Sequence, residues 1–340
     1  MTSSREEEAS VESGLRAEVI GEAGGMGALA DDWLRLQAAA GRDIHFFQTY
    51  EWCGAWVNRG MDGRRERPLI VCVRRDDDLV LLWPLMLTRM GPLRIMRWLS
   101  DPFAQYGDVL TSLDGAALGA ALDVAWRRIL ATGGVDIVRL RHVRADSTVG
   151  NFLAGRCLLA DEDGAPWLDL SRFDDEAAYD RRYDRRQRRR RKRIRKRLEK
   201  DFGEVAFRFV GPVDVAGVVD RLVAEKRRWL EEKGYYSRPL ECPELAGFFR
   251  CLPVAATSEE AMEDVPLMVV SELVAGDRAV SWELSFRWRG RHYCYITAHD
   301  NDLTPYSPGR LHMDLSQKRA LADGVVAFDL LVSNAPHKRS

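Results

Sequence analysis

The stretch Arg291–Leu315, RHYCYITAHDNDLTPYSPGRLHMDL, gathers residue types that hold or move charge. Its β-like opening ends at His299-Asp300, and a Ser307-Pro308-Gly309-Arg310 turn leads into a helical pattern. A helix N-terminus carries unpaired N–H groups and a partial positive charge, so it favours a phosphate. Pro308 sets the turn, Gly309 admits close backbone approach and Arg310 adds a cation; an ordinary β–turn–α corner is the competing reading. Upstream, AVSWELSFRW places Val280, Trp282, Leu284, Phe286 and Trp288 on one strand face and Ser281, Glu283 and Ser285 on the other. A carboxylate flanked by serines is not core filler. It belongs either to a solvent-facing sheet or to a cleft shared with His299. By the same alternation Tyr293, Tyr295, Thr297 and His299 share a face, opposite Cys294, Ile296 and Ala298.

Positioning these residues requires strands and helices in alternation, and periodicity supplies them twice over. The first half runs through strand LRAEVI, helices GALADDWLRLQAAAG and QTYEWCGAWVNRG, then β-rich PLIVCVRR, LVLLWPLMLTRM and LRIMRWLS. Helix GAALGAALDVAWRRILATGG and strands VDIVRLRHV and APWLDL close it. The second half repeats the order with a basic helix over 176–202, strand EVAFRFV, and helices VAGVVDRLVAEKRRWLEEKG and CPELAGFFRCL. The β-rich runs PLMVVSELVAG, AVSWELSFRWRG and HYCYITAHD follow, then a helix over 310–323 and strand VVAFDLL. This predicts a duplicated α/β (α+β) unit: two mixed sheets flanked by helices. An acidic disordered tail is expected at 1–14, a first domain at 15–172 and a second at 173–340. The second copy stops soon after VVAFDLL, so its last strands are either cut off or supplied from elsewhere. The first copy has no Pro-Gly-Arg at its helix mouth, and Gly115 and Gly119 there read as close helix packing.

Composition narrows the function classes. With 340 residues, 46% hydrophobic and 30% charged, the chain has an ordinary globular balance with ample core. Its most apolar run, LVLLWPLMLTRMGPLRIMRWL, is broken by Arg89, Arg94 and two prolines, short of the roughly 18 apolar residues a membrane span needs. The polar opening MTSSREEEASVESG has no signal-type apolar region. Six scattered cysteines without C-x-x-C spacing suggest neither a zinc site nor a disulfide framework, hence no metal and a reducing cytoplasm. The net charge of −1 hides an asymmetry: Arg181–Lys200 holds fourteen Lys/Arg against two acids, leaving 37 basic and 50 acidic residues, near −13, elsewhere. Three partner classes fit that cationic segment: an anionic membrane surface, RNA phosphates, or the acidic remainder of the chain.

The order strand–AHD–YSPGRLHMDL–helix–ADGVVAFDLLVSNAPHK, with EKRRWLEEKG upstream, resembles the CelD-like/BioF2-like acetyltransferase branch of the GNAT (N-acyltransferase) superfamily. Ser307, Pro308 and Gly309 match the turn before its crossover helix, and Asp329 matches the Asp of its ending. HFFQTYEWCGAWV is similar to the usual opening of its second helix. His337-Lys338 departs from the usual Tyr-Lys, and the Gln/Arg-x-x-Gly-x-Gly/Ala pattern is absent. The resemblance implies a duplicated GNAT-like acyl-CoA N-acyltransferase fold. The second domain would bind acyl-CoA, acetyl-CoA or longer, and the degenerate first domain would wall the acceptor cleft.

It further implies a cofactor turn of Ser307, Pro308, Gly309, Arg310, Leu311 and His312, with the diphosphate on the N–H groups of Gly309 to His312. The pantetheine arm would enter the splay between the strand ending near His299 and the one containing Phe328. Direct attack of an amine or hydroxyl on the thioester needs a general base and a polarising N–H. Glu283 or His299 is the implied base, and Asp300 the group orienting the histidine. A sugar or polysaccharide precursor, or a sphingoid-type lipid amine, is the implied acceptor. A lipid acceptor would put a cytoplasmic protein at the inner face of the membrane. Two rivals stand beside this. Fem-type transferases share the duplicated fold but take the acyl group from aminoacyl-tRNA, and a non-enzymatic nucleic-acid or membrane-surface module needs no donor at all.

Overall fold

Residues 14–61, 63–159, 161–255 and 265–332 are described by a computed structural model. The chain divides between Glu162 and Asp163 into two units, each built on a six-stranded mixed sheet. The expected tail and the His337-Lys338 ending lie outside the described residues.

The first unit runs β1 (Leu15–Ile20), α1 (Ala23–Ala28), α2 (Ala30–Ala40), α3 (Tyr50–Ala55), β2 (Glu66–Arg75), β3 (Asp78–Met90) and β4 (Leu93–Trp98). β5 (Leu110–Thr111), α4 (Gly115–Leu130), β6 (Ile137–Val138) and α5 (Thr148–Leu153) complete it. Strands β1 to β4 form an antiparallel meander, and α4 crosses to β6, which joins β4 in parallel. Trp83, Leu85, Met96 and Trp98 meet Ala121, Leu122, Ala125 and Ile129 of α4 in the core. VDIVRLRHV yields a strand of only Ile137–Val138. Close packing does not explain the glycines of α4. Gly115 sits at φ +51, and a Cβ on either Gly115 or Gly119 would meet nothing within 4 Å.

The second unit repeats the order with a shorter crossover. It contains β7 (Trp167–Asp169), α6 (Glu176–Arg181), α7 (Arg185–Phe202), β8 (Val205–Phe209), α8 (Pro212–Lys233), α9 (Arg238–Glu241) and α10 (Leu245–Phe249). Then follow β9 (Leu267–Ala275), β10 (Arg278–Trp288), β11 (Arg291–His299), α11 (Pro308–Ala322) and β12 (Ala327–Asp329). The sheet order is β7-β12-β11-β10-β9-β8, with β11 and β12 the parallel pair. APWLDL, read above with the first domain, instead contributes β7, whose Leu168 pairs with Phe328 at the edge of the second sheet. An outer strand is thus supplied from ahead of the basic segment. That segment is two helices, because Asp184 accepts from the Gln187 N–H at 2.7 Å and starts α7 afresh.

Ile194 and Leu198 bury one stripe of α7 against Leu273, Val280, Leu303 and Leu311. Its C-terminus abuts the β9–β10 turn, where Gly276 has φ +57 and a Cβ would stand 2.1 Å from the Phe202 carbonyl oxygen. Gly276→Ala therefore meets both a backbone clash and a left-handed conformation, and is expected to cost about 2–4 kcal/mol in urea unfolding. Gly217→Ala, in α8 with nothing within 4 Å, should instead stabilise by about 0.5–1 kcal/mol. Equal effects at the two positions would refute this account of the turn.

Candidate active site

The parallel pairing of β11 with β12 covers Arg291↔Ala327, His292↔Phe328 and Tyr293↔Asp329, and there β12 ends. Strand β11 continues to His299, held on its other side by β10. A slot therefore opens between the two strands beyond Tyr293. At its start the β10–β11 register shifts, from Leu284↔Ile296 to Ser285↔Cys294, leaving Tyr295 in a bulge. This bulge corrects the simple alternation. Tyr293 and Tyr295 lie on the face of Phe286, where Tyr295 meets the rings of Phe286 and Phe249. Thr297 and His299 pair with Glu283 and Ser281 on the opposite face, beneath α11. A bulge leaves its extra residue unpaired in the ladder, a feature that no side-chain pattern reveals.

At the far end of β11 stands the mouth of α11. Ser307 precedes it in the left-handed region at φ 55, Pro308 is its first residue, and the Arg310 N–H returns to the Ser307 carbonyl at 3.1 Å. His299 lies against this mouth, with Nδ1 3.7 Å from where a Cβ on Gly309 would be and Nε2 3.3 Å from Thr304 Oγ1. Burial, and then the nearby charge of Lys226, push His299 below its ordinary pKa, against an opposing pull from Asp300. Of the six residues expected in the turn, Ser307 and Gly309 are half-buried and Arg310 is exposed, so these three face outward. The side chains of Leu311 and His312 do not: Leu311 packs on α7, and the His312 ring bridges Ser271 and Ser281 at 3.0 Å each. Burial holds His312 at a pKa of about 4, hence neutral. Asp300 does not orient His299. Its carboxylate accepts from Arg278 Nε at 3.1 Å and from the Asp302 N–H at 3.1 Å.

Glu283 is not in an open cleft. It is 1% exposed, covered by α11, and its Oε1 accepts from Ser285 Oγ (2.6 Å) and Ser316 Oγ (2.8 Å). His292 Nε2 lies 2.9 Å from the same oxygen, while Arg287 Nε donates to His292 Nδ1 at 3.1 Å. The arginine fixes the tautomer, so a neutral His292 donates to the carboxylate. Burial raises the Glu283 pKa, and the hydrogen bonds from His292 and Ser285 and the pull of the His292 and His312 rings together outweigh it, holding the carboxyl at about 2. Sequence reading missed His292 and Ser316, although Ser316 lies one helical turn beyond His312 and so on the same face of α11. A cleft of about 550 Å³, lined by Arg208, Asp214, Arg221 and Glu272, lies elsewhere. Arg221 covers Trp282 there, on the sheet face away from α11.

Glu283→Ala would strand two hydroxyls and a ring N–H, at a cost of about 3 kcal/mol. Because the folded pKa lies below the ordinary 4.5, this stability is complete above that value and lost as pH falls toward 2. Urea titrations of wild type and Glu283→Gln across about pH 6 to 3 should show a steeper loss in wild type. Parallel profiles would contradict the assignment of an ionised Glu283.

Residues 185–339 match a family model described as Acetyltransferase (GNAT) domain. No curated protein sequence matches the chain. Among solved structures, FemX aligns over 96% of this chain and 90% of its own, at 11% identity and a TM-score of 0.57. The C-terminal domain of a putative lysylphosphatidylglycerol synthetase from Agrobacterium fabrum aligns over 89% and 79%, at 12% identity and 0.51. A conserved protein of unknown function from Bacteroides thetaiotaomicron aligns over 91% and 90%, at 8% identity and 0.52. At these identities the likeness is one of fold, and it runs through both units. The slot, the bulge and the helix mouth all fall inside 185–339, the part of the chain that matches the acetyltransferase (GNAT) domain model.

Proposed function

We propose that the second unit transfers an acyl group from acyl-CoA to an amine or hydroxyl of a sugar-type or lipid acceptor, as in the CelD-like/BioF2-like branch. The observation that carries this is the alignment of slot and mouth along one strand. From the bulge at Tyr295 to His299 is four residues, roughly 13 Å at 3.3 Å per residue. An extended pantetheine arm needs a separation of that order between its thioester and its diphosphate. In this reading the diphosphate lies against Gly309 and Arg310, the arm follows β11, and the thioester carbonyl meets the N–H freed by the bulge.

The acceptor nitrogen or oxygen attacks the carbonyl carbon, and its proton passes to water. The oxyanion formed is held by the bulge N–H, and collapse breaks the C–S bond. The thiolate leaves and takes a proton. His299, about 13 Å from the reacting carbon, then serves the diphosphate rather than acting as base. Glu283 holds α11 and β11 in place from beneath. The six cysteines are free thiols, which suits a cytoplasmic setting, and among the described residues no helix is long and apolar enough to cross a membrane. The fold likeness to FemX keeps an RNA-borne acyl donor as the second reading.

Thermal-shift titrations with CoA, acetyl-CoA, palmitoyl-CoA and bulk tRNA separate the two. Saturating acyl-CoA at about 100 times its Kd should add about 2.7 kcal/mol of apparent stability. Gly309→Asp, which sets a carboxylate against the diphosphate, should abolish that gain with unliganded stability kept. Stabilisation by tRNA alone would overturn the acyl-CoA reading. Binding should also depend on pH with a defined sign. Free His299 is depressed below 6.5 and an adjoining diphosphate raises it, so affinity for CoA should rise as pH falls below about 6.5. A His299→Gln variant should lose this slope. A wild-type affinity flat across that range would remove His299 from the phosphate end.

A further inference from the structure

The cations of α7 do not all turn outward, and few find acids within the fold. Among the described residues of the helix, Arg191 pairs with Asp314 at 3.0 Å and Arg195 with Glu199 at 2.8 Å. The flank carrying Arg186, Arg190, Arg193 and Arg197, repeated at three- and four-residue spacing, shows no carboxylate partner among the described residues. Two contacts fix where this flank points. Arg197 Nη1 donates to the Pro305 carbonyl at 3.3 Å, and its guanidinium lies 4.7 Å from the Tyr306 ring centre, just ahead of the Ser307 turn. The Arg191–Asp314 pair anchors the other side two residues beyond His312. Arg190 therefore stands beside the first turn of α11, where Arg310 is exposed and likewise without an acidic partner among the described residues. The same crowding is felt by Arg310, whose pKa is lowered by burial and then by the charges of Arg190 and Arg191.

Charge counting shows what these arginines are short of. A helix terminus supplies about +0.5, so with Arg310 the mouth of α11 offers about +1.5. That nearly balances a diphosphate at about −2. A ligand that also carries a phosphate monoester brings a further −1.5 to −2 or so, and Arg190 with Arg197 adds the matching two positive charges. Guanidinium forks suit such a group, since they bind phosphate oxygens in pairs.

We infer that Arg190 and Arg197 of α7, with Arg310 of α11, form a phosphate-monoester site beside the diphosphate turn. It selects a donor whose nucleotide carries a phosphate in addition to its diphosphate. This rests on the acyl-CoA reading and adds a residue set and a selectivity to it. The basic helix becomes a wall of the donor site.

The test is calorimetric titration with acetyl-CoA and 3′-dephospho-acetyl-CoA, at about 0.1 M salt. Wild type, Arg190→Ala, Arg197→Ala and Arg188→Ala are compared, the last lying on the opposite flank of α7. Wild type should bind acetyl-CoA about tenfold or more tightly than the dephospho form. Arg190→Ala and Arg197→Ala should each shrink that ratio severalfold, chiefly by weakening acetyl-CoA, and Arg188→Ala should keep it. A wild-type ratio near one, or a ratio indifferent to Arg190 and Arg197, overturns the inference while leaving acyl-CoA as donor. Binding of neither ligand overturns the donor reading and this inference together.

Discussion

The second unit depends on how α11 is fastened to its sheet, and the fastening is polar. Where α4 of the first unit lies on leucines, tryptophans and alanines, the middle of α11 meets Ser271, Ser281, Glu283 and Ser285. His312 bridges two of those serines, and Ser316 reaches the carboxylate. Apolar contacts resist separation but tolerate sliding, since they have no preferred direction. Hydrogen bonds to a buried carboxylate do not tolerate it, because each displaced donor leaves a desolvated polar atom behind. The helix mouth is thereby held in one register along β11.

The same seam reaches the slot. Glu283 takes its third hydrogen bond from His292, and the His292 ring stacks on Phe328, with centres 4.5 Å apart and planes 17° from parallel. On the neighbouring position Arg291 pairs with buried Asp329 at 3.0 Å. These contacts stand at the last paired positions of β11 and β12, so they define where the strands part. Beyond Asp329 the chain turns through Leu331 at φ 60, and β11 runs on without that neighbour. The point of divergence is set by side chains on both faces of the sheet.

Much of this arrangement is legible in the sequence, for identifiable reasons. Helices and strands appear where one period dominates, as in α4 or in the serine–glutamate–serine face of β10. The turn at 307–309 is visible because Pro308 and Gly309 restrict the backbone in opposite ways. Three things are not visible. A bulge at Tyr295 inverts every later assignment along β11, and its only mark is a cross-strand register that no single strand contains. Burial of Glu283 depends on α11 crossing above it, a tertiary fact. The strand β7 sits next to β12 in space but far ahead of it in the chain, so local periodicity assigns it to the preceding domain.

The basic segment shows why a charge run cannot be assigned from composition. Its alternatives are an internal acidic surface or an external polyanion, and the fold supplies acids to part of it. Arg191 and Arg195 find carboxylates, and Ile194 and Leu198 bury the stripe between them. That stripe orients the whole helix, because turning it by one residue, about 100°, would bury an arginine in place of Ile194. Once the apolar pair fixes the rotation, Arg197 must arrive at Pro305 and Arg190 beside Arg310. Ile194 and Leu198, set among the twelve cations of α7, therefore decide which cations face the helix mouth and which face solvent.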